Sequence, residues 1–286
     1  MNENIIKSFD KSGLALLSDL EGVNYKILYN NLEKEHEYFF NTYFKFVNNE
    51  YFKKWPKDTL HWWSRIWEYP YVYYHVQKYL NKFSDKESFR ILDFGAGVNF
   101  FPFAISKLGS NVTCLDIDKL CIESLLKIKE ANNEINITPI LSKDSRLPFD
   151  DDCFNIIYSV SVFEHLPDLK SIIMEIKRVL KRNGILIITF DVSLNDNFEL
   201  TLFNYQQFCT TLEENFNLIY NYKPSHPKNV LTSENSRYPF YTKPLKSKMK
   251  FVLFNYFLRP VLFKSIIPWP KKLNLAVEGV VLEKKY

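Results

Sequence analysis

The stretch Ile91–Asp116, ILDFGAGVNFFPFAISKLGSNVTCLD, decides the fold. Phe89 to Phe94 is a largely apolar run of the kind that forms a buried parallel strand, and it stops at Gly95-Ala96-Gly97 before a helical pattern from Asn99 to Leu108. A second short strand, Asn111 to Leu115, ends on Asp116, 21 residues after Gly95. At about that spacing, an acid following such a strand–turn–helix unit meets a nucleotide ribose. The pattern predicts an adenosine-containing cofactor.

Departures from the dinucleotide fingerprint decide which one. G-x-G-x-x-G needs a third glycine at position 100, where this chain has Phe100. Asp93 sets a carboxylate just before the glycine turn, where a pyrophosphate needs room and helix-dipole attraction. A cationic ligand suits it better. Asp93-Phe94-Gly95-Ala96-Gly97 followed by Leu115-Asp116-Ile117-Asp118 resembles motifs I and II of the class I S-adenosylmethionine-dependent methyltransferases, of the type 11-like kind, whose ligand carries an ammonium and a sulfonium. The resemblance implies a Rossmann-like α/β core with a mostly parallel seven-stranded sheet and an antiparallel last strand. It implies S-adenosyl-L-methionine as cofactor, contacted at Asp93, Gly95, Ala96, Gly97, Asp116 and Ile117.

A second diagnostic stretch is Leu141–His165, LSKDSRLPFDDDCFNIIYSVSVFEH. It resembles the family's third and fourth motifs, an acidic loop leading into the apolar strand Cys153–Val160. By that resemblance Asp144 accepts from the adenine amine, the Ser145 amide reaches a ring nitrogen, and Ser159 and Val160 turn backbone carbonyls to the methionine ammonium. Glu164-His165-Leu166 matches the family's E-H-L signature. Methyl transfer from a sulfonium needs mainly alignment and a dry pocket, and a base only for a poorly acidic acceptor. His165, after the fourth core strand and with an imidazole that titrates near neutrality, is the candidate base, or else simply shapes that loop. His61 and His75 are weaker candidates. Some quinone-biosynthesis O-methyltransferases use an E-x-x-E-H metal cluster here; with Ser161 in place of its first carboxylate, no bound metal is expected.

At 286 residues and 46% hydrophobic content the chain can bury one full core with additions. Cys114, Cys121, Cys153 and Cys209 form no C-x-x-C pair, which argues against structural zinc or a disulfide framework and suits a reducing cytoplasm. No stretch approaches the ~18 uninterrupted apolar residues of a membrane span, and the N-terminus lacks an apolar secretory core.

Residues 1–88 read as an N-terminal helical cap without strand pattern, in which 18 of the chain's 48 aromatics lie between His36 and Phe83. Trp63, Trp67 and Tyr71 recur every four residues and would share one helix face if Pro70 permits. That stripe is either plain core or the wall of an acceptor pocket to which Arg65, Glu68, Tyr69 and Tyr73 add polar contacts. The run W-S-R-x-W-E-Y-P resembles a segment preceding the core of methyltransferases of bacterial surface-polysaccharide synthesis.

The core follows over 89–286: helices at Asp118–Glu130, Asp168–Lys181 and Asn204–Asn215, and strands at Ile135–Leu141, Ile185–Phe190 with Asp191 at its tip, Phe216–Tyr222 and Leu273–Lys284. Residues 224–272 form a basic, aromatic insertion. Asn235–Val277 holds nine Lys or Arg and no acid, against a chain total of +4, which leaves about −5 elsewhere. Its segment 246–270 reads as a lid or core-packing helix pair, as an interfacial helix on anionic lipid at the inner face of a membrane, or as an oligomer contact. Nucleic acid is disfavoured, since the core has no recognisable RNA-binding module.

The function expected is methyl transfer to oxygen of a sugar, glycan or glycan-linked phosphate in surface-polysaccharide biosynthesis. The alternatives are a quinone, lipid or other small-molecule acceptor, or a binding protein that keeps the fold without turnover.

Overall fold

The computed structural model describes residues 9–194, 202–239 and 274–285. Eight strands form one sheet: β1 (Gly13–Leu14), β2 (Arg90–Phe94), β3 (Asn111–Asp116), β4 (Ile137–Leu141), β5 (Phe154–Val160), β6 (Leu180–Ser193), β7 (Phe216–Leu218) and β8 (Leu275–Lys284). Their order is β4-β3-β2-β5-β6-β8, parallel up to β6. β8 runs antiparallel to β6, and β7 and β1 sit antiparallel to β8 at its residues 282–284 and 278–279. This is the Rossmann-like sheet with an inserted antiparallel last strand that the motifs predict. The parallel strands are apolar on both faces because both are covered. Ile91, Val112, Ile156, Ile187 and Val277 face one core, Leu92, Leu115, Ile157, Ile188 and Val280 the other.

The first core is shared with α1 (Val23–Tyr43), α2 (Arg65–Leu80), α3 (Phe101–Ser106) and α4 (Lys119–Ala131); the second with α5 (Leu169–Val179) and α6 (Leu202–Asn215). α2 lies on the sheet because β8 offers it Gly279, where an added Cβ would come within 2.7 Å of both Trp67 and Tyr71. These two rings stack with centroids 4.5 Å apart and, with Trp63, are fully buried, so the four-residue aromatic stripe is core. Pro70 does not break α2. It leaves the Ile66 carbonyl without its helical donor, and the Tyr25 hydroxyl of α1 donates to that oxygen at 2.8 Å. Sealing the same region, Trp67 Nε1 donates to Asp19 Oδ2 at 2.8 Å, and Lys11 Nζ meets that oxygen at 2.5 Å in a buried ion pair.

Several expectations need correction. The region before residue 88 is not wholly helical, since Gly13–Leu14 adds a strand beside Glu278 and Gly279. The helix capped by Asp168, whose carboxylate accepts from Ser171 N at 3.0 Å, ends at Val179 rather than Lys181, because Leu180 pairs with Phe154. β6 continues past Phe190, so Asp191 is no strand tip; it pairs with Val277. β7 stops at Leu218 instead of Tyr222, which makes only an isolated bridge to Ser12. Pro139 sits inside β4, tolerated because β4 is the sheet's edge. The segment 246–270, with its lid, membrane and oligomer readings, lies outside the described residues.

Candidate active site

Strand β2 delivers the glycine turn to the carboxyl edge of the sheet, beside the point where strand order reverses between β2 and β5. Gly95 and Gly97 take φ of +78° and +57°. A Cβ on Gly95 would lie 2.5 Å from Val162 Cγ2, so the turn after β2 and the turn after β5 touch. The turn's donors are spent internally: Gly95 N and Ala96 N both donate to Leu115 O at 2.9 and 3.0 Å, and Gly97 N donates to Asp116 Oδ2 at 2.9 Å. A pyrophosphate would find those three N–H groups already engaged. The next one, Val98 N, donates to the Tyr51 hydroxyl at 3.0 Å, an aromatic of the cap that local sequence patterning did not single out.

Asp116 is half-buried, holds Gly97 N with one oxygen and Asp118 N (2.8 Å) with the other, and so is fixed in place with lone pairs left over for a ribose diol. Beside it Ile117 is 69% exposed, an apolar surface suited to a flat ring. Asp144 and Ser145 stand exposed in the loop after β4, which stays in register with β3 to its end, Ser142 N donating to Asp116 O at 3.1 Å. Asp93 is buried and accepts from the Tyr158 hydroxyl at 2.9 Å; burial pushes its carboxyl up to about 8. A cation placed against it would restore the carboxylate. Ser159 is buried with its hydroxyl donating to Phe94 O at 2.8 Å, and Val160 is half-buried. These residues fit an adenosine joined to a cationic group.

A polar cluster adjoins this turn at the ends of β5 and β6. Fully buried Glu68 pairs with half-buried Arg65, accepts from the Ser161 hydroxyl at 2.8 Å and from the Thr189 hydroxyl at 2.6 Å. Arg65 Nη1 in turn donates to Ser161 Oγ at 2.6 Å. Ser161 adopts φ +48°, a left-handed backbone that carries strain of order ~1–3 kcal/mol in a non-glycine residue. Its N–H to Thr189 O (2.9 Å) and its hydroxyl's two partners hold it there. Tyr69, buried, stacks on Phe101 at 4.5 Å and meets Phe100 edge-on at 5.2 Å. Tyr73, two turns along α2, is half-buried and has Glu35 of α1 as its charged neighbour, so it stands apart from the Arg65 group.

Next to the cluster, Glu164 is buried and accepts from Asp191 N at 3.1 Å, while Glu164 Oε2 and Asp191 Oδ1 are buried without a protein partner. Burial raises both carboxyls, Glu164 to about 7 and Asp191 well above the usual range, and the neighbouring Glu164 and Glu68 carboxylates push Asp191 further up. His165 is exposed and, when charged, favours the Glu164 carboxylate. Ser161 Oγ is taken by Arg65 and Glu68. His61 and His75 belong elsewhere: His61 to a cluster with Asp58, and His75, whose Nε2 donates to Phe9 O at 2.9 Å, to the buried core, where desolvation lowers it to about 3.

Residues 92–188 match the family described as a methyltransferase domain. Among curated proteins, a ubiquinone biosynthesis O-methyltransferase of Rickettsia typhi is 25% identical over half of this chain and 61% of its own length. An uncharacterized protein of Methanocaldococcus jannaschii is 30% identical over 49% of this chain and 58% of its own. The chain thus spans less than two thirds of these relatives. A solved structure of an S-adenosylmethionine-dependent methyltransferase from Aquifex aeolicus aligns with 73% of this chain and 89% of its own, at 17% identity and a TM-score of 0.39.

Proposed function

We propose that this chain, a class I S-adenosylmethionine-dependent methyltransferase by its domain and motifs, transfers a methyl group to a hydroxyl oxygen of a polyhydroxylated acceptor such as a sugar or glycan. The observation that carries the reading is the pair of partnerless buried oxygens, Glu164 Oε2 and Asp191 Oδ1, at the strand ends next to the glycine turn. Bound S-adenosylmethionine supplies a methyl group already activated by its sulfonium. Asp116 would hold its ribose, Ile117 would pack on its adenine with Asp144 and Ser145 at the ring's edge, and Gly95, Ala96 and Gly97 would let the backbone approach. Asp93, with the carbonyls of Ser159 and Val160, would meet its cationic end.

On the acceptor side, Arg65 and Tyr69 orient the ligand, and Glu164, poised at about 7, takes the proton of the attacking hydroxyl. His165, the base expected from the motif, acts in this reading by favouring the ionised Glu164. A carboxylate-lined site suits a neutral polyol better than an anion, so a glycan-linked phosphate is the weakest of the acceptors considered. The printed name of the Rickettsia relative favours a second reading, an acceptor of ubiquinone biosynthesis. A reducing compartment such as the cytoplasm belongs to the proposal, supported by four free cysteines, three of them buried. Among the described residues no helix is long and apolar enough to cross a membrane.

The test is transfer of labelled methyl from S-adenosylmethionine to a panel of nucleotide sugars, glycolipids and hydroxylated quinone precursors. Label on the sugars supports the leading reading, label on the quinone precursors alone replaces it with the second, and no transfer to any hydroxyl acceptor refutes both.

A further inference from the structure

Away from the cleft, the cap carries an acid-x-x-histidine pattern twice, Glu33-Lys34-Glu35-His36 on α1 and Asp58-Thr59-Leu60-His61 in the segment leading to α2. The three-residue spacing puts Glu33 and His36 on one face of α1. Asp58 Oδ1 accepts from Leu60 N and His61 N at 3.1 and 3.0 Å, a turn that folds His61 back onto its own acid, Nδ1 to Oδ2 at 2.7 Å. His36 Nε2 stands 3.3 Å from Asp58 Oδ1, and His61 Nε2 stands 3.3 Å from Glu33 Oε1. His36, Asp58 and His61 each bring a ligand atom within 4.8 Å of the others, the one such group of His, Cys, Asp or Glu found among the described residues.

We propose that this cluster binds one divalent transition-metal ion of zinc's class, held by His36, Asp58 and His61 with solvent completing the coordination. Two imidazoles and a carboxylate are a donor set that suits such an ion. With metal–ligand bonds of ~2.0–2.1 Å, neighbouring ligands of a tetrahedral ion stand about 3.3 Å apart, the separation of His36 Nε2 and Asp58 Oδ1 here. The rings are pre-oriented. His36 and His61 lie perpendicular at 5.4 Å; His36 is further fixed edge-on to Phe100 at 5.3 Å and His61 against Tyr238 at 5.1 Å. His61 turns Nδ1 toward the cluster, and its Nε2, 3.3 Å from Glu33 Oε1, makes the carboxylate–histidine contact that orients the ring.

Such an ion would clip α1 to the segment that starts α2, four residues before Arg65, and through Phe100 to the entrance of α3. It lies outside the cleft for which the sequence suggested no metal, and it does not depend on which acceptor is methylated. The test is calorimetric titration of untagged, chelator-dialysed full-length protein with zinc sulfate, followed by X-ray absorption and a thermal melt. The account expects one ion per chain, two nitrogen ligands, a higher melting temperature, and affinity weakened on the order of 100-fold in His36→Gln and in Asp58→Asn. Asp58→Asn retains the turn that folds His61 back, and circular dichroism confirms that each variant is folded. No binding, or binding unchanged in folded variants, overturns the proposal.

Discussion

The glycine turn and the polar cluster share the carboxyl edge of one sheet and are built in opposite ways. In the turn, Gly95, Ala96 and Gly97 donate inward, to Leu115 O and to Asp116, so its shape is complete before any ligand arrives. In the cluster, Glu68 is saturated by Arg65, Ser161 and Thr189, yet Glu164 and Asp191 each keep a buried oxygen with nothing bound to it. On the proposed reading the closed turn belongs to the cofactor, and an acceptor hydroxyl completes the open set and relieves the energetic penalty of those two oxygens.

The comparison breaks most sharply on Glu164→Gln. It should lower methyl transfer by about 10²-fold or more while leaving calorimetric binding of S-adenosylhomocysteine unchanged; loss of both together would merge the two regions into one. Gly95→Ala acts on the other side, since its Cβ at 2.5 Å from Val162 Cγ2 and φ of +78° leave no room. Cofactor binding should vanish, with about 1–3 kcal/mol of stability lost in denaturant melts. Glu68→Gln leaves Arg65 without its charge partner. Because Arg65 is partly exposed, the expected loss is about 2 kcal/mol, below the ~3–5 kcal/mol of a fully buried pair.

The pH dependence separates the regions by a smaller effect. Asp93 and Glu164 are raised to about 8 and about 7 in the folded chain. Between the ordinary carboxylate range and those values the folded protein holds protons that the unfolded chain has released. Stability is therefore greatest on the acid side and falls as pH rises through 7 to 8. Thermal melts should show that decline, and saturating S-adenosylmethionine should flatten the part due to Asp93 and leave the part due to Glu164. The smallest effect expected is from Asp144→Ala: exposed in its loop, Asp144 should alter stability by less than about 0.5 kcal/mol and weaken cofactor binding less than Asp116→Ala does.

The same contrast explains what could be read from the residues. Asp116 meets Gly97, 19 positions away within a single strand–turn–helix–strand unit, and such local units carry their own spacing. Thr189 meets Glu68 across 121 positions, and no periodicity encodes that encounter. Arg65, Glu68 and Tyr69 were recognisable as candidates from their aromatic surroundings, but the hydroxyls of Ser161 and Thr189 that bind Glu68 follow only from the sheet's topology. Tyr51 was likewise hidden, one aromatic among many, until it lay against Val98. Strand β1 has two residues and no pattern to read, while the early start of β6 at Leu180 came from pairing with Phe154, which outweighed helix propensity at that position.

The most direct measurement is calorimetric titration of the wild-type chain and Asp116→Ala with S-adenosylmethionine, S-adenosylhomocysteine and NADH. The account predicts one site for each of the first two, abolished or strongly weakened by the substitution, and no binding of NADH. Binding of NADH in place of the sulfonium and thioether ligands, or wild-type affinity retained in Asp116→Ala, would contradict it.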